Sequence, residues 1–577
     1  MEGKELLEYA CAKFEAGIYD EALEAFILAY CKGYEQEWIL ENIYNCYVSG
    51  NEETFREAYL HNTNGMGVAY EDCTLDFVPY REGEYYIFDK EMGVFRGVFS
   101  VPELQQTPPH EKIQKVEFSA IALALEWNWE EEMHVLTAAK EKKLYTVCQD
   151  MGRCISFWKI PELKDYAKNV KLFSSVQELQ QYFHDNTSVY LPMIVFGKEY
   201  QKQQELKDIL DQEHYYRLTP EGRNTENVLL TIGIPTHDRG NLLLKRLEHL
   251  RKMPYDAEIE FAVSKNGTLL YQEEYVQAGK IADARINYYD HGKELSGLES
   301  WHYTIEMSHG KYVMLVSDED DVCLDAIEHY LKILTDFPET ALFLAKGGQF
   351  YSDIEERVYG KAGLQAFQEA FLRTNYISGL IFHRELFLRN HFLNLQRFSE
   401  NRFYHYYAHM WWCTLLSLQG DYMEEPVQLF SEADSVQEEQ YQKYIGMGIL
   451  KQEDYYVEEI SLPSYSTYEE RLKQFQGQVE FLQMLSETYP EVVEAGLIRM
   501  IEKMTVLLCI ARGYNYKADI FLDVVDEFVQ KSMKAMDEFQ FSEQSQVNIL
   551  NCIKMNALYM MERHQKMTEE SEANVVS

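Results

Sequence analysis

Apolar positions along the chain follow two different periods, and the change between them divides the sequence into regions. Between residues 5 and 61 apolar side chains recur three and four positions apart, as at Leu6, Ala10 and Phe14, which predicts paired amphipathic helices. Residues 1–62 are therefore expected to form helical hairpins similar to tetratricopeptide repeats. Such hairpins either pack against a neighbouring domain or dock a protein partner, and both interpretations stay open.

Residues 63–222 have a different pattern, with short aliphatic and aromatic runs of strand length between helical stretches. The runs include EYYIFD, LYTVCQD and SVYLPMIVFG. This alternation predicts a small α/β domain. The region contains neither a phosphate-binding loop nor a catalytic signature, so its role stays open. The polar segment RLTPEGRNTEN, from Arg217 to Asn227, predicts a linker before the next domain.

A buried strand, a polar turn and a helix follow this linker in VLLTIGIPTHDRGNLLLKRLEHL. The strand is expected from Val228 to Ile234 and the turn from Pro235 to Gly240, before a helix with leucines on one face. This order is the first unit of a doubly wound, Rossmann-like sheet, in which ligands bind beyond the carboxyl ends of the strands. The turn therefore brings four polar side chains to a candidate site: Thr236, His237, Asp238 and Arg239.

Two further strands are expected to end at the same edge. EIEFAVSKNGT runs into a polar turn from Ser264 to Thr268, which contains Lys265 and Asn266. GKYVMLVSDEDDV predicts a strand from Tyr312 to Val316, followed by consecutive acids from Asp318 to Asp321. Adjacent carboxylates raise one another's pKa, and a bound divalent cation offsets their repulsion. We expect a Mg²⁺ or Mn²⁺ site here, the alternative being a solvated acidic loop.

The segments IPTHDRGNLL, EIEFAVSKNGT and HGKYVMLVSDEDDV resemble the three signatures of family 2 glycosyltransferases, inverting enzymes with the GT-A fold. The resemblance spans residues 226–435 and implies a nucleotide-diphospho sugar as donor, with a UDP-sugar as the first expectation. It implies that Asp318 and Asp320 bind Mn²⁺ or Mg²⁺ together with the sugar diphosphate. It also implies a nucleotide pocket formed by Pro235, Thr236, Asp238, Arg239, Lys265 and Asn266. Lys265 stands where the family has an aspartate, and it places a cation near the diphosphate.

An inverting transfer needs a general base that takes the proton from the acceptor hydroxyl. The family supplies it from a Glu-Asp pair that precedes a glycine and a short strand. If Gly420 is that glycine, the positions of the Glu-Asp pair are occupied by Ala408 and His409 in this chain. Because histidine is a base near neutral pH, His409 is the candidate catalytic residue, the alternative being a packing role beside Trp411 and Trp412. Three other residues are substitutes for the catalytic role: His405, Glu400 and Asp421.

The amino-acid composition limits the possible binding partners and the expected cellular compartment. Lys and Arg total 54 against 95 Asp and Glu, a formal charge of -41, which opposes binding to nucleic acid and to anionic lipid. The ten cysteines form no C-x-x-C pair and no zinc spacing, as expected of free thiols in a reducing cytoplasm. No stretch approaches the roughly 18 apolar residues of a membrane-spanning helix. A cytoplasmic protein is expected, with any membrane contact peripheral and at the inner face.

These patterns together predict an α/β protein with a GT-A, Rossmann-like domain at residues 226–435, preceded by the helical hairpins and the small α/β domain. Residues 436–577 are expected to form a helical extension with a disordered end. The expected activity is sugar transfer to a hydroxyl of a glycan, a lipid-linked glycan or a protein, as in cell-surface polysaccharide synthesis. The alternative is an inactive relative that serves as an interaction scaffold. A sugar nucleotidyltransferase is disfavoured, because the Gly-rich loop expected after its first strand is absent from Pro235 to Leu242.

Overall fold

The structure is a computed structural model, and it describes most of the chain. The described residues are 1–63, 68–125, 136–390, 400–433, 437–451, 462–514, 516–551, 553–555 and 558–559. The chain forms two compact units, one of residues 1–224 with 254–257 and the other of residues 225–253 with 258–577. The end of the chain for which disorder was expected lies outside the described residues. No described helix is long and apolar enough to cross a membrane.

The first unit begins with helices, as the three-and-four spacing predicted. They are α1 (Gly3–Glu15), α2 (Tyr19–Cys31), α3 (Gln36–Ile43) and α4 (Glu52–Asn62). The apolar faces of the first two pack together, with Leu6 and Ala10 buried in α1 and Leu23 and Phe26 buried in α2. The predicted helical N-terminal segment is confirmed.

Two sheets and six α-helices make up the rest of the first unit as far as its residues are described. The first sheet is antiparallel and consists of β1 (Leu75–Arg81), β2 (Glu84–Asp89) and β3 (Val94–Ser100). The second contains β4 (Ile121–Leu125), β5 (Leu144–Cys148), β6 (Val170–Phe173) and β7 (Ile194–Gly197), all parallel, in the order β6-β5-β4-β7. The helices are α5 (Val101–Gln106), α6 (Glu111–Gln114), α7 (Met151–Ser156), α8 (Lys164–Ala167), α9 (Val176–Asp185) and α10 (Tyr200–Arg217).

The second unit is built on an eight-stranded sheet. Its strands are β8 (Leu230–His237), β9 (Ile259–Asn266), β10 (Ile286–Asp290), β11 (Tyr312–Leu315), β13 (Thr340–Lys346), β14 (Val358–Gly360), β15 (Leu380–His383) and β16 (Asp421–Gln428), and a separate pair consists of β12 (Asp321–Val322) and β17 (Phe430–Ser431). The order is β10-β9-β8-β11-β15-β13-β16-β14, with β10, β9, β8 and β11 mutually parallel. All eight residues of β9 are buried, as expected of a strand covered on both faces of a parallel sheet.

Eleven helices are described around and after this sheet. They are α11 (Gly240–Leu250), α12 (Gln272–Ala278), α13 (Gly297–Met307), α14 (Ile327–Asp336), α15 (Leu364–Ala370), α16 (Arg384–Arg389), α17 (Arg402–Gln419), α18 (Gln437–Gly446), α19 (Tyr468–Ser486), α20 (Val493–Gly513) and α21 (Phe521–Glu538). The predicted class, an α/β protein with a largely parallel sheet and helical segments at both ends, is confirmed.

The first strand of this sheet is longer than its apolar run. Val228 and Leu229 precede β8, and residues 235–237, expected in the turn, extend the strand instead. Pro235, Thr236 and His237 pair in parallel register with Ser264, Lys265 and Asn266 of β9. The strand therefore carries its polar residues to the rim of the sheet, and the chain turns only at Asp238.

Candidate active site

A cavity of about 950 Å³ opens at the carboxyl ends of β8, β9 and β11. Pro235, Thr236 and Arg239 line it from the first strand and its turn, and Asn266 lines it from the second. The third strand contributes the acids that follow it. The cavity thus lies at the edge of the sheet where the sequence predicted a site.

Asp318 and Glu319, here named the acidic floor, are the two carboxylates that the third strand presents to the cavity. Thr236 Oγ1 donates to Asp318 Oδ2 at 2.6 Å. The Arg239 guanidinium bridges the pair, with Nη1 at 3.1 Å from Asp318 Oδ1 and 3.2 Å from Glu319 Oε2. Burial raises the pKa of both carboxyls, although Arg239 acts in the opposite direction. One guanidinium therefore leaves the negative charge of the acidic floor incompletely balanced.

Thr236 is held in place by a relay of hydrogen bonds. The Arg239 backbone N–H donates to the Tyr275 hydroxyl at 2.8 Å, and that hydroxyl lies 2.8 Å from Thr236 Oγ1. Because Thr236 donates its one proton to Asp318, the Tyr275 hydroxyl must be the donor to Thr236. Burial raises the pKa of Tyr275 far above its usual range, so the phenol keeps this proton. The relay fixes the direction in which Thr236 points.

Asp320, expected to share a metal with Asp318, is not among the residues that line the cavity. Its side chain is fully buried, and Oδ2 accepts hydrogen bonds from Ser378 at 2.6 Å and Tyr376 at 2.9 Å. Its Oδ1 accepts from the Ala433 backbone N–H at 3.4 Å. Burial is the largest cause of the raised pKa of Asp320. Asp320 thus ties the acidic loop to two later segments of the second unit.

The four consecutive acids do not behave as one mutually repelling set. Burial, rather than repulsion between neighbours, is the largest cause of the raised pKa of Asp318, Glu319 and Asp320. Asp321 points outward, and its ion pair with Arg246 outweighs its partial burial and lowers its pKa. Asp318 and Asp320 do raise the pKa of Glu319, as expected, but burial is the larger cause, and the pKa of Asp321 is shifted downward instead.

Asp238, expected in the nucleoside pocket, lies beneath the cavity surface rather than on it. Its φ of 52° is the left-handed conformation that ends β8, and its side chain is fully buried. Oδ1 accepts from the Leu269 backbone N–H at 2.9 Å. A Cβ added at Gly267, which has φ of 90°, would lie 2.6 Å from the same oxygen. Asp238 therefore joins the two polar turns to each other.

Lys265 and Asn266 occupy consecutive positions at the end of β9 but face different surroundings. Lys265 Nζ pairs with Asp290 at 3.0 Å and lies 5.3 Å from the centre of the Tyr275 ring, away from the cavity lining. Asn266 lines the cavity, and its side chain both donates to and accepts from the backbone of Leu295 at 2.8 Å. The expected cation near the diphosphate is therefore not at the cavity surface, whereas the amide is.

His237 was included in the predicted turn but not among the nucleotide contacts. The structure places it on the cavity wall, with Nε2 at 2.7 Å from Glu294 Oε2. Burial would raise the pKa of Glu294, but the contact with His237 outweighs it and the net shift is downward. Both side chains lie at the same end of the cavity as Asn266.

His409 reaches the cavity from α17. His409 is 4% exposed, and both of its ring nitrogens are buried without a hydrogen-bond partner of standard geometry among the described residues, although the Thr374 backbone interacts with the ring and acts to raise its pKa. Its ring centre lies 5.7 Å from that of Trp301 in an edge-on arrangement. Burial lowers the pKa of His409 to about 4, so the ring is neutral at physiological pH. A neutral imidazole can accept a proton once an acceptor hydroxyl reaches one of these buried nitrogens.

The three substitutes for His409 lie elsewhere. His405 and Glu400 are exposed, and neither lines the cavity. Asp421 is at the start of β16, where it pairs with Lys361 at 2.9 Å and accepts from the Ala362 backbone N–H at 3.0 Å. Those contacts outweigh the effect of burial and lower its pKa. Of the four candidates, His409 is the one that the structure brings to the cavity.

Sequence reasoning missed the tyrosine side chains of the cavity. Four aromatic side chains of the cavity are here named the aromatic wall: Trp301, Tyr406, Tyr407 and Tyr465. The signal was present in the run RFYHYYAHMWW and in an aromatic content of 14%. Tyr465 could not be assigned to the site from the sequence, because it follows the end of the predicted catalytic domain.

Helix α18 also contributes unexpectedly to the cavity, through Gln440, Tyr441 and Tyr444. Gln440 Nε2 donates to the His237 carbonyl at 2.9 Å, and Arg239 Nε donates to Gln440 Oε1 at 2.9 Å. This helix was expected to open a separate extension. It instead packs against the turn that ends β8.

The described residues contain no group of three or more His, Cys, Asp or Glu side chains arranged to hold a metal by themselves. The acidic floor offers two carboxylates. Magnesium is commonly held in this way, through one or two carboxylates together with substrate phosphates and water. The donor set of the cavity therefore fits a metal that arrives with a phosphorylated ligand.

Comparison with known proteins gives structural similarities only. No family model and no curated protein matches the chain. One similar solved structure is residues 1–349 of S. aureus TarS in complex with UDP-GlcNAc, with 9% identity, a TM-score of 0.39, and coverage of 57% of this chain and 91% of that one. Another is the mannosyltransferase PcManGT from Pyrobaculum calidifontis in complex with GDP-Man and Mn²⁺, with 13% identity, a TM-score of 0.30, and coverage of 57% of this chain and 87% of that one.

Proposed function

We propose that the second unit is a glycosyltransferase that moves a sugar from a nucleotide-diphospho sugar to a hydroxyl acceptor, with inversion, as in family 2 enzymes. One observation carries the proposal. A single cavity at the carboxyl edge of the sheet is lined by the acidic floor with Arg239 and also by His409, whose imidazole is neutral. Charge stabilisation for a leaving diphosphate and proton acceptance from an attacking hydroxyl are the two requirements of such a transfer.

We assign the nucleoside of the donor, which is uridine if the donor is a UDP-sugar, to the end of the cavity formed by Pro235, Thr236 and Asn266. Backbone at a strand end and a side-chain amide provide the donors and acceptors that a nucleobase and ribose require. Asp238 and Lys265 support this pocket from behind, through Leu269 and Asp290 respectively. They position the pocket, and Arg239 lies next to the diphosphate.

Asp318 and Glu319 are the residues that would hold Mn²⁺ or Mg²⁺, because both face the cavity and share one ion-pair partner, Arg239. A metal there would supply stabilisation of the negative charge on the departing diphosphate. Asp320 fits a positioning role better, since its oxygens already accept from Ser378, Tyr376 and Ala433. It holds the loop in which Asp318 and Glu319 lie.

His409 is assigned as the general base. The acceptor oxygen forms a bond to the anomeric carbon, the bond from that carbon to the diphosphate oxygen breaks, and its electron pair leaves with the nucleoside diphosphate. The hydroxyl proton passes to a ring nitrogen of His409. The hydroxyl becomes strongly acidic as the new bond forms, so a base with a pKa of about 4 can take the proton late in the step.

A second candidate, an inactive scaffold with this fold, is favoured by the internal partners of three expected site residues. Asp238, Lys265 and Asp320 each contact another residue of the protein instead of facing the cavity. An active enzyme and a scaffold differ in whether the cavity binds donor in a metal-dependent way.

The test is calorimetry of UDP- and GDP-sugars against the full chain, with Mn²⁺, with Mg²⁺ and with chelator. We expect metal-dependent donor binding that is lost in Asp318→Asn. Asp321→Asn is the matched control, because Asp321 belongs to the same acidic run but its side chain is 58% exposed and points away from the cavity. If none of the nucleotide sugars binds to the unmodified chain, the result favours the scaffold.

A further inference from the structure

The aromatic wall lies in the same cavity as the acidic floor and next to His409. All four of its side chains are half-buried, so each keeps part of its ring open to the cavity. The ring centres of Tyr406 and Tyr465 lie 5.6 Å apart, and those of Tyr407 and Tyr465 lie 6.5 Å apart. Trp301 stands beside the proposed base. The rings therefore surround the place from which an acceptor hydroxyl would reach His409.

A break in α17 allows two adjacent tyrosines to belong to this wall. Successive side chains of a regular helix point about 100° apart, so Tyr406 and Tyr407 would not normally face one cavity. The backbone of Tyr407 departs from helical geometry, with φ of -135° and ψ of 39°. This departure turns Tyr407 toward the cavity while His409, two residues later, also lines it.

Arginine side chains hold the two tyrosine rings from behind. Arg471 Nη1 donates to the Tyr407 hydroxyl at 3.0 Å, and Arg402 Nη2 donates to the Tyr406 hydroxyl at 3.0 Å. Arg471 is itself buried, and it also donates to Ser466 at 2.9 Å. Rings fixed in this way lose little freedom when a ligand packs on them, which favours binding.

The charges in the cavity distinguish between the classes of acceptor. Among the described lining residues, Arg239 is the single Lys or Arg, and it is already paired with the acidic floor. Arg402 and Arg471 direct their guanidinium groups to tyrosine hydroxyls, and Arg402 also pairs with Glu470 at 2.7 Å. An acceptor with its own phosphate groups would need cations to receive them. The aromatic wall offers none, but its ring faces suit the C–H faces of a sugar ring, which carry partial positive charge.

We infer that the acceptor is a neutral saccharide that packs on Trp301, Tyr406, Tyr407 and Tyr465, in preference to a lipid-linked diphosphate or a peptide hydroxyl. The inference rests on the proposed function and names the substrate class of the same cavity. It also assigns a role to the chain beyond residue 435, because Tyr465 and Arg471 come from that region. Neither residue was a candidate from the sequence.

The test compares Tyr465→Ala with Tyr465→Phe, which keeps the ring, and with Tyr514→Ala, which changes a tyrosine that is 51% exposed and outside the cavity. Saccharide binding is measured by calorimetry with neutral tetrasaccharides of glucose, galactose and N-acetylglucosamine, and UDP binding is measured in parallel. Loss of one stacking contact is expected to weaken saccharide binding about tenfold in Tyr465→Ala. Tyr514→Ala should bind saccharide like the unmodified chain, and Tyr465→Phe should bind it more tightly than Tyr465→Ala because the ring is kept.

The parallel measurement separates failure of this inference from failure of the proposed function. If UDP binds but no saccharide does, or if Tyr465→Ala binds saccharide normally, the acceptor assignment is wrong and the transferase proposal stands. A preference in transfer assays for an undecaprenyl-diphosphate sugar or for a serine peptide also overturns the assignment. If no nucleotide or nucleotide sugar binds, the proposed function itself fails, and the acceptor assignment with it.

Discussion

The Tyr444 hydroxyl donates a 2.8 Å hydrogen bond to the Asp238 carboxylate, joining α18 to the turn after β8 across 206 positions of sequence. Asp238 has one other described partner for its side chain, the Leu269 backbone N–H. Gln440 strengthens the same junction through the His237 carbonyl. The geometry of the proposed nucleotide end of the cavity thus depends on a helix that follows the sheet in the chain.

Replacing Tyr444 with Phe removes one hydrogen bond from a fully buried carboxylate. A buried acceptor that loses a partner costs about 1–3 kcal/mol. We expect the midpoint of the thermal unfolding transition of the second unit to fall by about 1–2 °C for each kcal/mol lost, since the shift becomes smaller as the unit becomes larger. Differential scanning calorimetry measures the shift, with Tyr514→Phe as the exposed-tyrosine control. An unchanged midpoint would show that α18 does not hold Asp238 in solution.

The Asn variants of Asp318 and Asp320 should differ in kcat/KM for transfer. Asp318→Asn removes a charge that faces the cavity, and we expect kcat/KM for transfer to fall by about 100- to 1000-fold. Asp320→Asn keeps an oxygen that can accept from Ser378 and Tyr376, so a smaller decrease is expected. Steady-state assays with a titration of Mn²⁺ compare the two. Loss of metal dependence in Asp320→Asn alone would identify Asp320, rather than Glu319, as the second metal ligand.

His409→Gln should separate chemistry from donor binding. Glutamine fills a similar volume but takes up no proton, so we expect kcat for transfer to fall by about 100- to 10,000-fold while UDP binding is retained. His405→Gln is the matched control, because His405 lies on the same helix but is exposed. Normal turnover by His409→Gln would show that His409 is not the general base and would favour the alternative, a packing role beside Trp411 and Trp412.

His409 should also make stability depend on pH. Its pKa is lowered from 6.5 to about 4 in the folded chain, so between these values the unfolded chain binds more protons. Stability therefore falls as pH decreases through this window, by up to roughly 3 kcal/mol for a shift of this size. The unfolding midpoint of His409→Gln should change less between pH 6.5 and 4 than that of the unmodified chain. Parallel curves for the two proteins would contradict the burial of a neutral imidazole.

The sequence was sufficient to locate the edge of the sheet at which the cavity lies. Strand β9 is apolar enough to be recognised, and the polar residues after each strand mark where the strands end. Local pattern carries this information because parallel strands are buried on both faces. Even so, the apolar run ended at Ile234, whereas pairing with β9 continues the strand to His237.

The directions of individual side chains could not be obtained in this way. Asp318 faces the cavity and Asp320 does not, although only one residue separates them in the chain. Asp320 is held instead by Ser378 and Ala433, which lie 58 and 113 positions beyond it. Lys265 was expected near the diphosphate because nothing in the sequence indicates that Asp290 pairs with it. Such contacts between distant segments decide function and leave little trace in local pattern.

The placement of Arg471 and Tyr465 has a practical consequence for experiments on isolated fragments. A fragment cut at residue 435, where resemblance to known enzymes ends, would lack the guanidinium behind Tyr407 and one ring of the aromatic wall. It would also lack the helix that caps Asp238. The shortest piece worth expressing therefore continues through α19, and inactivity of anything shorter would say nothing about the proposed activity of the intact chain.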